Sequence, residues 1–409
     1  MVKARKAVEE MEAKQKLEAA ATSSSATLCA TGCGEIATLR CSQCLGAWYC
    51  SNECGKIAWP KHKGPCKKAA PVLGGRSIAQ YDKDFEEYKQ GAATGDALCQ
   101  NNLGTCYQFG SGVEMNLKNA FKWYKLAAEN GDVTAQFNLG VSYFNGDGIE
   151  VDQREAVKWY TRAANVGYPV AQYSLGNCYM IGTGVAVDKR AAVALFKRAA
   201  KAGDADSQVR LGICLEQGEG VAVDFHKAFE WYKLAAEAGK KRGQYLLGKC
   251  YIEGKGVAVN QDEGIKWMTL AAEREYLDAQ YTLGKFYHHS VVAEEREAAV
   301  KWYKSAAKAG DALAMNNLGS IYYSGPDFAM KRNKAAKWFK RAAEAKASQA
   351  YRNLGFCYLN GTGGVSIDEN ESKKWFKLAD EDESPAGKLM CACCSIGSHF
   401  LYEDDEENE

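Results

Sequence analysis

The chain has 409 residues, with 52 Lys and Arg against 51 Asp and Glu, 40 Gly against 6 Pro, 16 Cys and 5 His. Two or three domains fit that length. The near-zero charge excludes a globally basic nucleic-acid binder or a polybasic membrane protein, and the scarcity of Pro excludes a Pro-rich disordered chain.

Residues 1–25 read as a charged, Ala-rich arm without the apolar run of a secretory signal. No stretch approaches 18 uninterrupted apolar residues, so no membrane partner or span is expected. A cytoplasmic and/or nuclear location follows, where disulfides are rare and cysteines read as metal ligands or buried thiols.

Residues 26–68 hold seven Cys and one His in four pairs: Cys29 with Cys33, Cys41 with Cys44, Cys50 with Cys54, and His62 with Cys66. Within each pair two or three residues intervene, which lets both side chains reach one metal from a knuckle or a helical turn. Eight ligands predict two Zn2+ ions in closed shells, and closed shells are structural rather than catalytic. Spacing alone leaves open which pairs share a metal. A segment of this size cannot bury enough apolar surface alone, so zinc must supply much of its folding energy. The segment also carries six Lys/Arg against Glu35 and Glu53.

A linker, 69–81, leads into a repetitive region, 82–382. Leu-Gly recurs at Leu103, Leu139, Leu175, Leu211, Leu247 and Leu283, each 36 residues apart, then at Leu318 and Leu354. About twenty residues later comes a Trp (Trp123, Trp159, Trp231, Trp267, Trp302, Trp338, Trp375), with Leu195 the one exception, and then an Ala-Ala pair. Each unit predicts two helices. Leu139 and Tyr143 share a face of the first. A Gly-x-Gly turn follows, and the second helix starts at a capping box such as Asp152 with Glu155, Asn260 with Glu263 or Asp368 with Glu371. The Trp and the Ala pair are expected to face a neighbour, and the glycines to punctuate helices. One helical pair cannot bury both its faces, so the pairs must stack. Residues 84–96 match a second helix, giving a half-unit and eight full units. Tyr287-His288-His289-Ser290 and Ser324-Gly325-Pro326 replace the usual turn in units six and seven, so altered geometry is expected there. Cys106, Cys178, Cys214, Cys250 and Cys357, three residues after the repeat Leu, read as core fillers. Asn102, Asn138, Asn317 and Asn353 flank the buried face, where they could line a groove and bind a peptide backbone or make helix-packing hydrogen bonds. Residues 383–409 read as a capping segment, with Cys391, Cys393 and Cys394 as buried thiols, and an acidic tail, 403–409.

The repeats resemble the Sel-one-like family, relatives of the tetratricopeptide repeats. That resemblance implies a mainly α fold, a right-handed α-solenoid of antiparallel helix pairs, and a role as scaffold or adaptor for protein partners. The segment with Cys41-Ser-Gln-Cys44, Tyr49-Cys50-Ser-Asn-Glu-Cys54 and Trp59-x-x-His62-x3-Cys66 resembles a MYND zinc finger. The resemblance implies cross-bracing, with Cys29, Cys33, Cys50 and Cys54 on one zinc and Cys41, Cys44, His62 and Cys66 on the other. It also implies a site for short Pro-rich peptides at Ser42 and Trp59, while Gly55 stands where a Gln is common.

The function expected is a non-enzymatic adaptor, with no small-molecule substrate. Its finger and its solenoid groove (Asn102, Asn138) would each take a protein or peptide partner. A nucleic-acid-associated transcriptional regulator is the alternative, motivated by the basic finger, although no base-reading helix is apparent. A protein lysine methyltransferase is the third reading. MYND fingers also occur within split catalytic domains of that class, but an Asn-His dipeptide is missing and only about 25 residues precede the finger.

Overall fold

The computed structural model describes residues 39–40, 48–49, 78–325 and 332–381. Two short strands, β1 (Leu39–Arg40) and β2 (Trp48–Tyr49), pair antiparallel with Leu39 opposite Tyr49 and Arg40 opposite Trp48. The rest of the described chain is helix and turn, in two compact units, 1–188 and 189–409. The first holds α1 (Ile78–Ala93), α2 (Ala97–Phe109), α3 (Leu117–Glu129), α4 (Val133–Asn145), α5 (Gln153–Asn165) and α6 (Pro169–Ile181). The second holds α7 (Lys189–Lys201), α8 (Ala205–Gln217), α9 (Phe225–Glu237), α10 (Lys241–Glu253), α11 (Gln261–Glu273), α12 (Leu277–His288), α13 (Ala293–Lys308), α14 (Ala312–Ser324), α15 (Ala335–Glu344), α16 (Ser348–Asn360) and α17 (Glu369–Glu381). Even-numbered helices are the first of a pair, odd-numbered ones the second. Within each unit, short turns make consecutive helices antiparallel neighbours.

Four interactions build each pair. The repeat Leu is buried, at 0% exposure for Leu139, Leu283, Leu318 and Leu354. The Gly after it is not punctuation: it sits inside the first helix, under a ring from the second. A Cβ on Gly140 would stand 2.7 Å from the Tyr160 ring, and one on Gly284 would stand 2.6 Å from Tyr303. Only a bare Cα lets these helices approach so closely. The fully buried ring is therefore the residue after the Trp: Tyr124, Tyr232 and Tyr303 are 0–1% exposed. Trp159 and Trp302 lie instead in clusters that join their own repeat Leu to the preceding pair, Trp159 with Leu139 and Tyr124, Trp302 with Leu283 and Met268. Helical geometry separates the two rings by about 100°, so one closes its own pair and the other joins neighbours.

The turns carry the third and fourth interactions. Gly146 ends α4 in the left-handed conformation (φ 83°). Gly148, two residues on, has φ 77°, and a Cβ there would lie 2.2 Å from the carbonyl oxygen of Leu117 at the start of α3. The second Gly of the turn is thus where two pairs touch backbone to backbone. The same contact recurs in the second unit, where Gly220 approaches the Lys189 carbonyl and Gly256 that of Phe225.

The expected capping boxes form only half-way. The Asp152 side chain accepts from the Arg154 and Glu155 amides, that of Asn260 from Glu263, and that of Asp368 from Glu371. The return bond from the Glu is missing, because each cap's own N–H already donates to a first-helix carbonyl, on Tyr143, Tyr251 or Tyr358. The displaced Glu side chains pair with a Lys three residues on: Lys158 with Glu155, Lys266 with Glu263 at 2.6 Å, and Lys374 with Glu371 at 3.0 Å. In unit six α12 runs into His288 and caps on His289 at φ −99°, with no left-handed residue. In unit seven Gly325 is likewise outside the left-handed region, at φ −66°.

Candidate functional site

The eight expected metal ligands, Cys29, Cys33, Cys41, Cys44, Cys50, Cys54, His62 and Cys66, lie outside the described residues, as do Ser42, Trp59 and the segment 383–409. The β1–β2 ladder bears on the ligands through connectivity. Its connecting segment, 41–47, contains Cys41 and Cys44, and Cys50 follows β2 directly. Seven thiols with one imidazole is a donor set that suits zinc. Among the described residues no group of three or more His, Cys, Asp or Glu could hold a metal.

The described cysteines are inert. Cys106, Cys178, Cys214, Cys250 and Cys357 are buried in the repeats. Burial pushes the thiols of Cys106, Cys178, Cys214 and Cys357 up to about 11 and that of Cys250 up to about 12, so they stay protonated at neutral pH.

The first helices of the first unit offer a different surface. α2, α4 and α6 contain no Asp, Glu, Lys or Arg at all. Part-exposed polar and aromatic side chains on α2 and α4 include Asn102, Thr105, Gln108, Phe137, Asn138 and Phe144. Asn138 Nδ2 donates to Asn101 Oδ1 at 2.9 Å, and Asn353 repeats the bond to Asn316 at 2.8 Å. The Asn102 Oδ1 has only a 3.5 Å contact, from Asn101, and Asn317 donates to the Tyr303 hydroxyl at 3.2 Å. Asn138 thus ties one pair to the previous one with its amide.

Residues 97–132, 133–168, 169–204, 205–240, 241–276, 277–311, 312–346 and 348–379 each match the Sel1 repeat. The chain belongs to the Sel1 repeat family. Residues 29–66 match the MYND finger. The protein is similar to c5321, a protective antigen of uropathogenic Escherichia coli strains displaying an SLR fold, at 30% identity and a TM-score of 0.62 over 82% of this chain and 72% of that one. It is also similar to a Sel1 repeat protein from Oxalobacter formigenes, at 29% identity and a TM-score of 0.56 over 74% of this chain and 87% of that one. These likenesses make the Sel1 array an α-solenoid of helix pairs. A 34-residue stretch is 56% identical to the human histone-lysine N-methyltransferase SMYD3, and it spans 8% of each chain. A MYND finger implies zinc binding, and Sel1 repeats with such a finger are the parts of a protein-interaction scaffold. No described helix is long and apolar enough to cross a membrane.

Sequence reasoning missed one column of the Sel1 array. Gln100, Gln136, Gln172, Gln208, Gln244 and Gln280 each donate Nε2 to a carbonyl eight residues earlier on the preceding helix, that of Ala92 for Gln100 and that of the second Ala of the Ala-Ala pair for the other five. The signal was present as a Gln every 36 residues, three before the Leu. Gln100 Oε1 also accepts from Asn130 at 2.9 Å, whereas the Oε1 atoms of Gln136, Gln172, Gln208 and Gln244 are buried without a partner.

Proposed function

We propose that the protein is a non-enzymatic adaptor whose MYND finger (26–68) is held by two structural zinc ions and whose Sel1 array (82–382) presents the α2–α4–α6 face to an extended peptide. The absence of any charged side chain on those three helices carries this reading. Asn, Gln and Thr hydrogen-bond a peptide backbone without selecting its charge, and the Phe rings add apolar contact. The finger is the second arm, with Ser42 and Trp59 as its peptide contacts. Two weak sites on one chain reinforce each other through effective concentration. The buried, protonated thiols of the array are packing groups rather than nucleophiles, which accords with a binding role.

Affinity capture with the wild-type chain, Trp59→Ala and Asn102→Asp tests it. Each variant is expected to lose a different subset of partners, and identical captured sets would overturn the two-arm reading. Elemental analysis is expected to find two zinc ions per chain. Chelation is expected to abolish finger-dependent capture while the helical circular-dichroism signal persists. One zinc ion, or collapse of the helical signal, would refute the division into a metal-held finger and an independent array.

A further inference from the structure

α7 differs in charge from every other second helix of its unit. It carries Lys189, Arg190, Lys197, Arg198 and Lys201 and no acid. α9, α11, α13, α15 and α17 mix both signs, with net charges between −2 and +2. All five cations of α7 are exposed. Lys189 pairs with Glu219 at 2.9 Å, while Arg190, Lys197 and Lys201 have no ion pair among the described residues. Those three fall at i, i+7 and i+11, on one face about 16 Å long at 1.5 Å per residue. Ala194 lies between them on that face, where the other repeats carry Lys122, Lys158, Glu230 or Lys266. This is also the repeat in which Leu195 replaces the Trp. Elsewhere an Arg three residues after the Trp covers its ring, Arg162 at 4.2 Å from Trp159 and Arg341 at 4.9 Å from Trp338. Like charges four apart on a helix repel, so this face gains from an opposing anion.

The same chain supplies one. Residues 403–409 read Glu-Asp-Asp-Glu-Glu-Asn-Glu, six acids in seven residues. Twenty-one residues, 382–402, separate Glu381, the last of α17, from Glu403. Extended, they reach about 75 Å, against roughly 50 Å for five stacked helix pairs at about 10 Å each. We propose that the acidic segment 403–409 docks on the Arg190–Lys197–Lys201 face of α7 and screens that face from other anionic partners. The contact goes beyond the adaptor reading, because it uses neither the finger nor the α2–α4–α6 face. It is intramolecular, so tethering raises the local concentration of the acidic segment, and its exposed charges make it sensitive to salt.

Carbodiimide cross-linking of the full chain, which joins a lysine amine to a carboxylate, reads the contact directly. At low ionic strength Lys197 and Lys201 are expected to take most of the cross-links from 403–409, and about 1 M salt is expected to remove most of them. Arg190→Gln is expected to cut that yield several-fold, because an exposed Arg that is not itself a cross-linking target contributes only its charge. Its helical signal, unchanged from the wild type, checks the fold. Cross-links spread over the lysines of other helices, an Arg190→Gln yield equal to wild type, or links found mainly between labelled and unlabelled copies would each overturn the proposal.

Discussion

The second and sixth repeats solve the same packing problem with different turns. In the second, Gly146 and Gly148 turn the chain, Asp152 caps α5, and Gly167 closes the repeat. In the sixth, Ser290 stands at the position of Gly146, the two residues before it, His288 and His289, stack with ring centroids 4.5 Å apart, and α13 starts after Val292 with no side-chain cap. Both nevertheless keep a fully buried Leu, a Gly under the Tyr ring and a buried Ala pair. The helix-to-helix contact is therefore the constant of the repeat, and the turn is replaceable provided nothing is asked to occupy the space of its second Gly. That distinction ranks the consequences of substitution.

The largest expected loss is at Gly148. Gly148→Ala forces a Cβ against the Leu117 carbonyl and places an L-residue at φ 77°. Backbone displacement and left-handed strain together cost about 3 kcal/mol or more. His289→Ala, at the turn of the sixth repeat, is expected to change stability by less than about 1 kcal/mol, as surface substitutions do. Urea-unfolding midpoints compare the two, and equal effects would break the distinction. Next comes Gly284→Ala, whose Cβ meets the Tyr303 ring rather than backbone. The ring can shift, so overpacking costs about 1–3 kcal/mol, partly offset by better helix propensity.

These contacts also show what a single sequence reveals. Repeat length, helix pairing and the buried Leu were legible because a 36-residue period multiplies a weak signal eight times. The Gly after the Leu drew no role of its own from the sequence, because a Gly at a helix–helix crossing and a Gly at a turn look alike until the opposing ring is placed. The half-formed capping boxes were misread for a related reason: the Asp152 amide is taken by Tyr143, a partner on another helix. The finger's eight candidate ligands stand out by spacing and lie outside the described residues. Asn102 and Asn138 were legible as flanking positions, whereas the bond of Asn138 to Asn101 depends on the neighbouring repeat.

The sixth repeat adds a pH response that the second lacks. Three repeats give the buried Tyr hydroxyl a partner at one equivalent position: Gln108 for Tyr124, Glu216 for Tyr232 and His288 for Tyr303. Burial, and then the neighbouring His289, lowers the His288 imidazole to about 4. The unfolded imidazole titrates near ~6.5, so between those values the unfolded chain holds the extra proton. Stability is therefore full above about 6.5 and falls as the pH drops toward about 4, by about 1 kcal/mol once screening of a partly exposed ring is allowed for. His288→Gln copies the Gln108 solution. It is expected to remove that acid-side slope from the urea midpoint while leaving stability at pH 8 nearly unchanged, and a slope that persists would place the acid sensitivity elsewhere.

The smallest effects are gains, and they come from positions where one repeat lacks what another has. Glu275 stands at φ 60°, where the other repeats place Gly131, Gly167 or Gly239. Glu275→Gly is expected to relieve about 0.5–1 kcal/mol of left-handed strain, reduced by the entropy that glycine restores to the unfolded chain. Val166 is the equivalent of Asn130, the residue that satisfies Gln100, and the two share a backbone conformation, φ −80° and ψ 3° against φ −78° and ψ 4°. Because Gln136 Oε1 is buried without a partner and Val166 is 66% exposed, Val166→Asn removes little packing and offers the missing donor. The expected gain is about 1 kcal/mol, the net value of a hydrogen bond to a buried acceptor. Gln136→Leu alongside it forms a double-mutant cycle, in which the gain must vanish when the acceptor is gone. If Val166→Asn stabilises equally in both backgrounds, the benefit lies in the helix cap, and Gln136 is already satisfied by water.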